Sequence, residues 1–425
     1  MNILVISDSF STGGLETQIK TYYNNLPKGV NIIFAFGNYN EDLDLVDAKI
    51  YTNFSFSFSD TISDLCNDVY RLVNIIKQNN INVIHVHPYY CFYASLFASQ
   101  LTGVKMVYSY HGQGSFNFLK TMISNPIFFY AFEKGCVSNV LSVSKNGINC
   151  FNRVSYKNVV MIPNPIDTKK FLKANVINNH KWALISRIDD DKINEIKKML
   201  LIMDDFDIDA IDIYGDGSCL EDLKEFIEFN NLGNKVKLLG YCNNVYSTVN
   251  YKYNGIIGIG RVVLESLIMG FPTILIGYGK VTGFINKDIY LKIKDYNFVN
   301  EHINVYNNVL PTNYERYFLM NDVKKNYSIE TIMKEYLFYL NAGCSTMKQN
   351  LKDLFYEIDK FNNNEELNKC YFHKERLIYN LVKDFVCRNS LLPEINCIVT
   401  NADMCYELYD GLMIEKNKEK YNEKN

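Results

Sequence analysis

The sequence lacks the marks of a membrane-spanning, secreted or metal-scaffolded protein. Among its 425 residues no run of 18 or more is apolar, so no segment is expected to span a bilayer. It opens on "MNILVISDSF", which enters a strand at once, without a basic start, a long apolar stretch or a cleavage site. No secretory signal is therefore expected. An excess of either charge is also missing. The 44 basic and 47 acidic residues leave a net −3, without the basic stripe of a nucleic-acid binder. The 11 cysteines are an odd number, scattered from Cys66 to Cys405 with no C-x-x-C pair. That argues against a disulfide framework or a structural zinc site, and for a reducing, cytoplasmic setting in which most thiols are small core hydrophobes.

What is present is a long alternation of short apolar runs and helical patterns. The runs "NILVIS" (2–7), "VNIIFAF" (30–36), "NVIHVH" (82–87), "KMVYSY" (105–110), "VLSVS" (140–144) and "VVMIP" (159–163) show no polar alternation. Such strands are buried on both faces, as in a parallel sheet covered by helices. A polar connection, 164–181, interrupts the pattern, which restarts at "WALIS" (182–186), "AIDIYG" (210–215), "KVKLLG" (235–240), "NGIIGIG" (254–260) and "PTILIG" (272–277). The fold class is α/β, with two doubly wound Rossmann-like domains, expected over 1–165 and 166–340. Residues 341–425 are expected to form a mainly helical extension without recognisable chemistry, ending in "EKNKEKYNEKN".

Ligands of such sheets bind beyond the carboxyl ends of the strands. After the first strand, Gly13 and Gly14 precede a helix, where backbone N–H groups can approach a phosphate; a flexible turn is the equal alternative. After the fourth, His111 stands in "YHGQGS", placed to donate a hydrogen bond to a substrate oxygen or a developing charge. His85 and His87 alternate with apolar residues inside "IHVHP" and read as structural. In "SRIDDDKINE", Arg187 and Lys192 lie in a loop entering a helix and suit a diphosphate clamp; with Asp189, Asp190 and Asp191 between them, a solvated charged loop is the alternative. No metal role is expected for these aspartates, nor for the D-x-D look-alike Asp207 and Asp209. Most acids of "DDFDIDAIDIYGDG" are expected to flank a strand or face outward.

The passage "GIGRVVLESLIMGFPTIL" (258–275) reads as strand end, glycine turn, helix and strand. Gly260 falls in the turn, Arg261 opens the helix and Glu265 lies little more than one turn in. A carboxylate there can accept a pair of hydrogen bonds from a ribose diol, while backbone near Gly260 and Arg261 meets phosphate. The G-x-G-x-x-G fingerprint of dinucleotide binders fails here, because Val263 stands where its third glycine belongs.

Taken in order, "GGLET", "HVH", "YHG", "LSVS", "IPNPID", "SRIDDDK", "IYGDGSCLEDLKEFIEFNNLGNKVKLLGY" and "GRVVLESLIMGFPTIL" resemble the retaining GT-B glycosyltransferases of the family 4 type, over about residues 1–340. The resemblance implies two domains facing a cleft and a nucleotide diphosphate sugar, UDP- or GDP-linked, as donor, with no metal and no further cofactor. It implies that Gly13 and Gly14 close over the diphosphate and that His111 lies near the transferred sugar. Arg187 and Lys192 would stabilise the leaving group, Glu265 would hold the ribose, and backbone at Gly240 and Tyr241 would frame the base. The family commonly has a second glutamate eight residues before the first; here that position is Ile257, and "GRVVLE" resembles a bacterial subgroup with a glycine–arginine turn. Losing one charged hydrogen bond to a sugar costs roughly 1.5–3 kcal/mol, so the sugar cannot be copied from two-glutamate members.

The implied activity is sugar transfer to a hydroxyl acceptor (glycan, lipid-linked or protein) in bacterial surface-glycan or glycoconjugate synthesis. The alternative is a catalytically inactive partner subunit that binds or stabilises an active enzyme. The aromatic- and lysine-bearing stretch "FNFLKTMISNPIFFYAFEKG" (116–135) suits peripheral contact with the inner face of a membrane. A stretch of this kind is more often core, and Asn125-Pro126 interrupts its helix.

Overall fold

A computed structural model describes residues 1–11, 13–40, 45–56, 62–88, 90–112, 124–153, 156–242, 245–343, 349–364 and 371–389. The chain divides into two compact units. The first joins Met1–Ile162 with the chain from Lys334 onward, and the second is Pro163–Met333.

In the first unit β1 (Asn2–Phe10), α1 (Gly14–Tyr23), β2 (Asn31–Tyr39), β3 (Lys49–Tyr51) and α2 (Ile62–Gln78) are followed by β4 (Val83–Val86) and α3 (Cys91–Thr102). Then come β5 (Lys105–Tyr110), α4 (Ser124–Glu133), β6 (Val137–Ser142), α5 (Lys145–Arg153) and β7 (Val159–Met161). The strands form one sheet in the order β3-β2-β1-β4-β5-β6-β7. All its pairings are parallel. Ile3, Leu4, Val5 and Ile6 are all buried, as a strand covered on both faces requires. The chain leaves β1 toward β2 on one side and reaches β4 on the other, so the switch point of this sheet lies at the ends of β1 and β4.

In the second unit β8 (Lys181–Ile185), α6 (Ile193–Leu201), β9 (Ala210–Tyr214), α7 (Leu220–Phe229) and β10 (Val236–Gly240) precede α8 (Val245–Val249) and β11 (Gly255–Gly258). These are followed by α9 (Arg261–Met269), β12 (Thr273–Gly277), β13 (Lys280–Phe284), α10 (Lys287–Ile293) and α11 (Asn313–Tyr327). The strand order is β10-β9-β8-β11-β12-β13, which puts the switch point between β8 and β11. Only β13 runs antiparallel within this sheet, hairpinned to β12.

Within the described residues the C-terminal helices pack into the core of the first unit. α12 (Ile329–Asn341) carries the chain from the second unit back into the first. Leu351, Leu354, Phe355 and Ile358 of α13 (Gln349–Asn362) are all buried in the first unit's core, joined by Ile378 and Val382 of α14 (Tyr371–Asn389). Their i, i+3, i+4, i+7 spacing gives α13 the apolar stripe that requires a partner, and α2 and α3 supply it. The terminal run "EKNKEKYNEKN" lies outside the described residues.

Residues 116–123 of the stretch considered for membrane contact also lie outside the described residues. Ile127 to Phe132 are all buried in the core, so these side chains are unavailable to a bilayer surface. No described helix is long and apolar enough to cross a membrane.

Candidate active site

The second unit gathers most of the expected site residues at the carboxyl ends of its strands. The loop after β8 is locked to the loop after β9 at several points. The N–H of Ile188 donates to the Asp216 carbonyl (2.9 Å), and the N–H of Cys219 to the Ile188 carbonyl (2.8 Å). Asp189 Oδ1 accepts from the Ser218 N–H (3.1 Å). This close approach explains the glycines of "YGDGS". A Cβ on Gly215 would sit 1.8 Å from the Ser186 carbonyl oxygen, and one on Gly217 2.4 Å from that of Ile188.

The lock holds Arg187 and Lys192, with Lys192 at the position just before α6. Neither cation stands alone. Arg187 Nη1 bonds Asp189 Oδ2 at 2.9 Å, and Nη2 lies 3.9 Å from Asp191 Oδ2. Lys192 Nζ lies 3.2 Å from that same Asp191 oxygen and 5.6 Å above the Tyr278 ring. Arg187 is 62% exposed and Lys192 only 19%, so the two differ in setting. The exposed Arg187 pair is worth about 0–1 kcal/mol, less than bidentate pairing to a phosphate provides. Among the described residues no group of three or more His, Cys, Asp or Glu is arranged to hold a metal ion.

α9 opens at Arg261 after Gly260, whose φ of 60° lies in the region that favours glycine. The Gly260 N–H is committed to the Phe298 carbonyl (3.0 Å). Glu265 is buried, and its Oε1 accepts from Arg261 Nε at 2.7 Å, while Arg261 Nη1 donates to the Pro165 carbonyl at 3.1 Å. One carboxylate oxygen is thus held by the helix itself, one turn back. Burial, and then the Glu265 charge, push the Tyr246 phenol well above its ordinary value. Ile257 is fully buried within β11 against the core that includes Leu184, Ile213 and Ile274, so an acid at this position would enter the core rather than the turn. Gly240 ends β10 at φ 71°, its carbonyl accepting from the Gly215 N–H (2.9 Å), and Tyr241 beyond it is exposed.

In the first unit Gly13 caps α1 and Gly14 begins it. Gly13 has an extended φ, and a Cβ built on it would lie 2.6 Å from Glu16 Oε2, whereas nothing lies near one built on Gly14. Glu16 Oε1 accepts from the Ser11 N–H at 3.4 Å, which brings a carboxylate to the start of the same helix. The start of α3 is filled by Asp8, whose oxygens accept from the Tyr90 and Cys91 N–H groups at 2.8 and 2.7 Å.

His111 follows β5 and is not isolated: its Nε2 lies 2.9 Å from His87 Nδ1. His87 in turn lies against His85, with ring centroids 4.3 Å apart. His85 is held at both nitrogens, Nδ1 at 2.9 Å from the Tyr336 hydroxyl and Nε2 at 2.8 Å from Ser109 Oγ. Burial disfavours the charged imidazoles, lowering His85 to about 3, His111 to about 4 and His87 well below its usual value. The expectation that His85 is structural agrees with these contacts; His87 touches the candidate His111 directly.

Two residues of the second unit escaped the sequence reading. Glu195 on α6 is 2% exposed; its Oε2 accepts from the Gly279 N–H at 3.2 Å, and its Oε1 has no partner among the described residues. Burial raises its pKa. Tyr278, with φ 50°, is held in a region costly for bulky side chains, in the turn after β12 that Glu195 ties down. Its phenol is pushed up to about 12, first by burial and then by Glu301, Asp191 and Glu195. A sequence signal for the turn was the pair of glycines in "GYGK".

Residues 12–170 match the family described as Glycosyltransferase Family 4. No curated protein matches the sequence. A glycosyltransferase structure from Rickettsia africae is similar at 17% identity and TM-score 0.58, over 80% of this chain and 97% of that one. The Anabaena protein HepE in complex with UDP and glucose follows at 15% and 0.57, over 80% and 99%. Sucrose-phosphate synthase from Thermosynechococcus elongatus gives 13% and 0.57, over 80% and 98%. At such identities the likeness is one of fold: two doubly wound α/β domains of the GT-B type, the first of which carries the match to Glycosyltransferase Family 4.

Proposed function

We propose that the protein is a retaining, metal-independent hexosyl- or N-acetylhexosaminyltransferase that moves a sugar from a nucleotide diphosphate sugar to a hydroxyl acceptor. The observation that carries this is the placement of Arg187, Lys192, Arg261 and Glu265 at the ends of β8 and β11, the two strands that flank the switch point of the second sheet. The acceptor oxygen bonds to the anomeric carbon as the carbon–oxygen bond to the β-phosphate breaks. The departing phosphate takes the acceptor's proton on the same face, so configuration is retained. Arg187 and Lys192 exchange their aspartate partners for the diphosphate as its charge develops. Glu265, with one oxygen held by Arg261, receives a ribose hydroxyl on the other. The fold shared with a protein solved with UDP and glucose makes UDP the first nucleotide to test. A bacterial glycan or glycoconjugate is the acceptor class that fits the resemblance.

Thermal unfolding of the pure protein with millimolar UDP, GDP, ADP and CMP tests the donor half. A nucleoside diphosphate at about 100 times its dissociation constant adds roughly 2.7 kcal/mol of stability, and that shift should vanish in Glu265→Ala. Lys192→Ala should cut turnover far more than it weakens folding, and undiminished turnover would overturn the assignment. One observation favours a second reading, a non-catalytic partner subunit: Ile257 is built into the core where the family commonly has its first glutamate. Donor hydrolysis by the isolated chain would separate the two.

A further inference from the structure

The histidines at the ends of β4 and β5 constrain one another beyond the role expected of His111. The two strands are parallel neighbours, with His85 opposite Val107, and this register brings the residues just past their ends together. His87 Nδ1 and His111 Nε2 lie 2.9 Å apart, with the rings stacked at 5.1 Å and 28°. His87 is 1% exposed and wedged against His85, whose two nitrogens are occupied by Tyr336 and Ser109. Its ring is therefore held in place from behind.

With the charged forms disfavoured by burial, each neutral ring carries a single N–H. A nitrogen–nitrogen contact between two such rings is a hydrogen bond only if one atom bears hydrogen and the other a lone pair. Two joint states satisfy this. Either His87 Nδ1–H donates and His111 carries its proton on Nδ1, or His111 Nε2–H donates and its Nδ1 bears a lone pair. The direction of this bond goes with whether the second nitrogen of His111 is a donor or an acceptor.

We infer that His87 is a positioning residue that donates from Nδ1 to His111 Nε2, fixing His111 as the Nδ1–H tautomer. This rests on the proposed sugar transfer, in which His111 donates to a phosphate oxygen or a developing negative charge, neither of which can donate in return. The tautomer itself can be read without turnover. In protein labelled with ¹⁵N-histidine, two-bond proton–nitrogen correlations should show His111 as Nδ1–H in the wild type; an Nε2–H form would overturn the inference whatever the variants do. His87→Phe keeps the ring but removes the donor, and should lower the Nδ1–H share of His111. His87→Asn keeps an N–H near the Nδ1 position and should restore it. In turnover, His87→Phe should lower kcat about 10- to 100-fold with little change in donor KM, and His87→Asn should recover most of it. An unchanged His111 tautomer in His87→Phe would refute positioning by His87. Absence of turnover in the wild type would instead count against the transferase assignment and leave the spectroscopic result standing.

Discussion

The pair Arg261–Glu265 offers the most discriminating test of how the candidate donor site is built. Both side chains are largely buried, 13% and 9% exposed, and meet at 2.7 Å across one turn of α9. Replacing Arg261 by Met removes the cation and leaves the carboxylate buried without it, which costs about 3–5 kcal/mol. Glu265→Met strands the guanidinium and should cost about 3–5 kcal/mol as well, whereas Glu265→Gln keeps an acceptor for Arg261 Nε and should cost less, about 1.5–3 kcal/mol. The double replacement by Met leaves no uncompensated charge and should come out close to neutral, so the two sites should couple by at least about 2 kcal/mol. The sequence supplies its own reporter. Its single tryptophan, Trp182, is buried in the core of the second unit. Thermal unfolding followed by Trp182 fluorescence therefore reads this unit directly, and a loss of 3–5 kcal/mol should lower its Tm by roughly 6–20 °C. If Arg261→Met shifts stability by less than about 1 kcal/mol with no coupling to Glu265, the pair is a solvated surface contact. The carboxylate would then not be pre-set for a ligand.

His85 has a folded pKa depressed by burial, so the unfolded chain takes up the proton first. Its contribution is complete above about pH 6.5 and is lost on acidification at up to about 1.4 kcal/mol per pH unit. Urea midpoints between pH 7.5 and 5 should fall accordingly for the first unit, and a flat profile would refute the burial of a neutral ring. Gly215→Ala forces a Cβ against the Ser186 carbonyl and should cost about 1–3 kcal/mol while abolishing the nucleotide-dependent Tm shift, since the displaced loop carries Arg187. Tyr336→Phe keeps the stack on Tyr22, whose ring lies at 4.0 Å, but removes the hydroxyl from His85. It should cost about 1–3 kcal/mol, seen as faster hydrogen exchange in β4.

Most strands were legible because a parallel sheet covered on both faces leaves an uninterrupted apolar run, and eleven such runs stand out in the sequence. The two that escaped are edge strands. β3 is a half-exposed "KIY", and β13, "KVTGF", contains a glycine and follows directly on a turn. The positions of Arg187, Lys192, Gly260, Arg261 and Glu265 at strand ends were readable for the same reason, since ends follow from runs. Their partners were not. That Asp189 and Asp191 neutralise the cations, or that Arg261 reaches back from Glu265, depends on side-chain direction rather than spacing. Asp212 shows the same limit. It belongs to a run whose acids were mostly expected to flank a strand or face outward, yet it is buried, bonded to Lys181 and Tyr253 at 2.6 Å each, because two partners from neighbouring segments compensate its charge. The C-terminal helices carried a readable apolar stripe, but a stripe does not name the surface it covers.

The return of the chain through α12 makes the second unit an insertion within the first, and this bears on the order of events at the ribosome. The first unit's opening strands emerge early, but Tyr336, which closes over His85, and the helices whose side chains complete its core are made only after Pro163–Met333. At roughly 5–20 residues per second, that intervening segment takes roughly ten to thirty seconds to synthesise. Throughout that interval the nascent first unit holds an unfinished apolar face, while the inserted unit, continuous in sequence, can complete itself as soon as it clears the exit tunnel. The domain that begins the chain is thus the last to be finished.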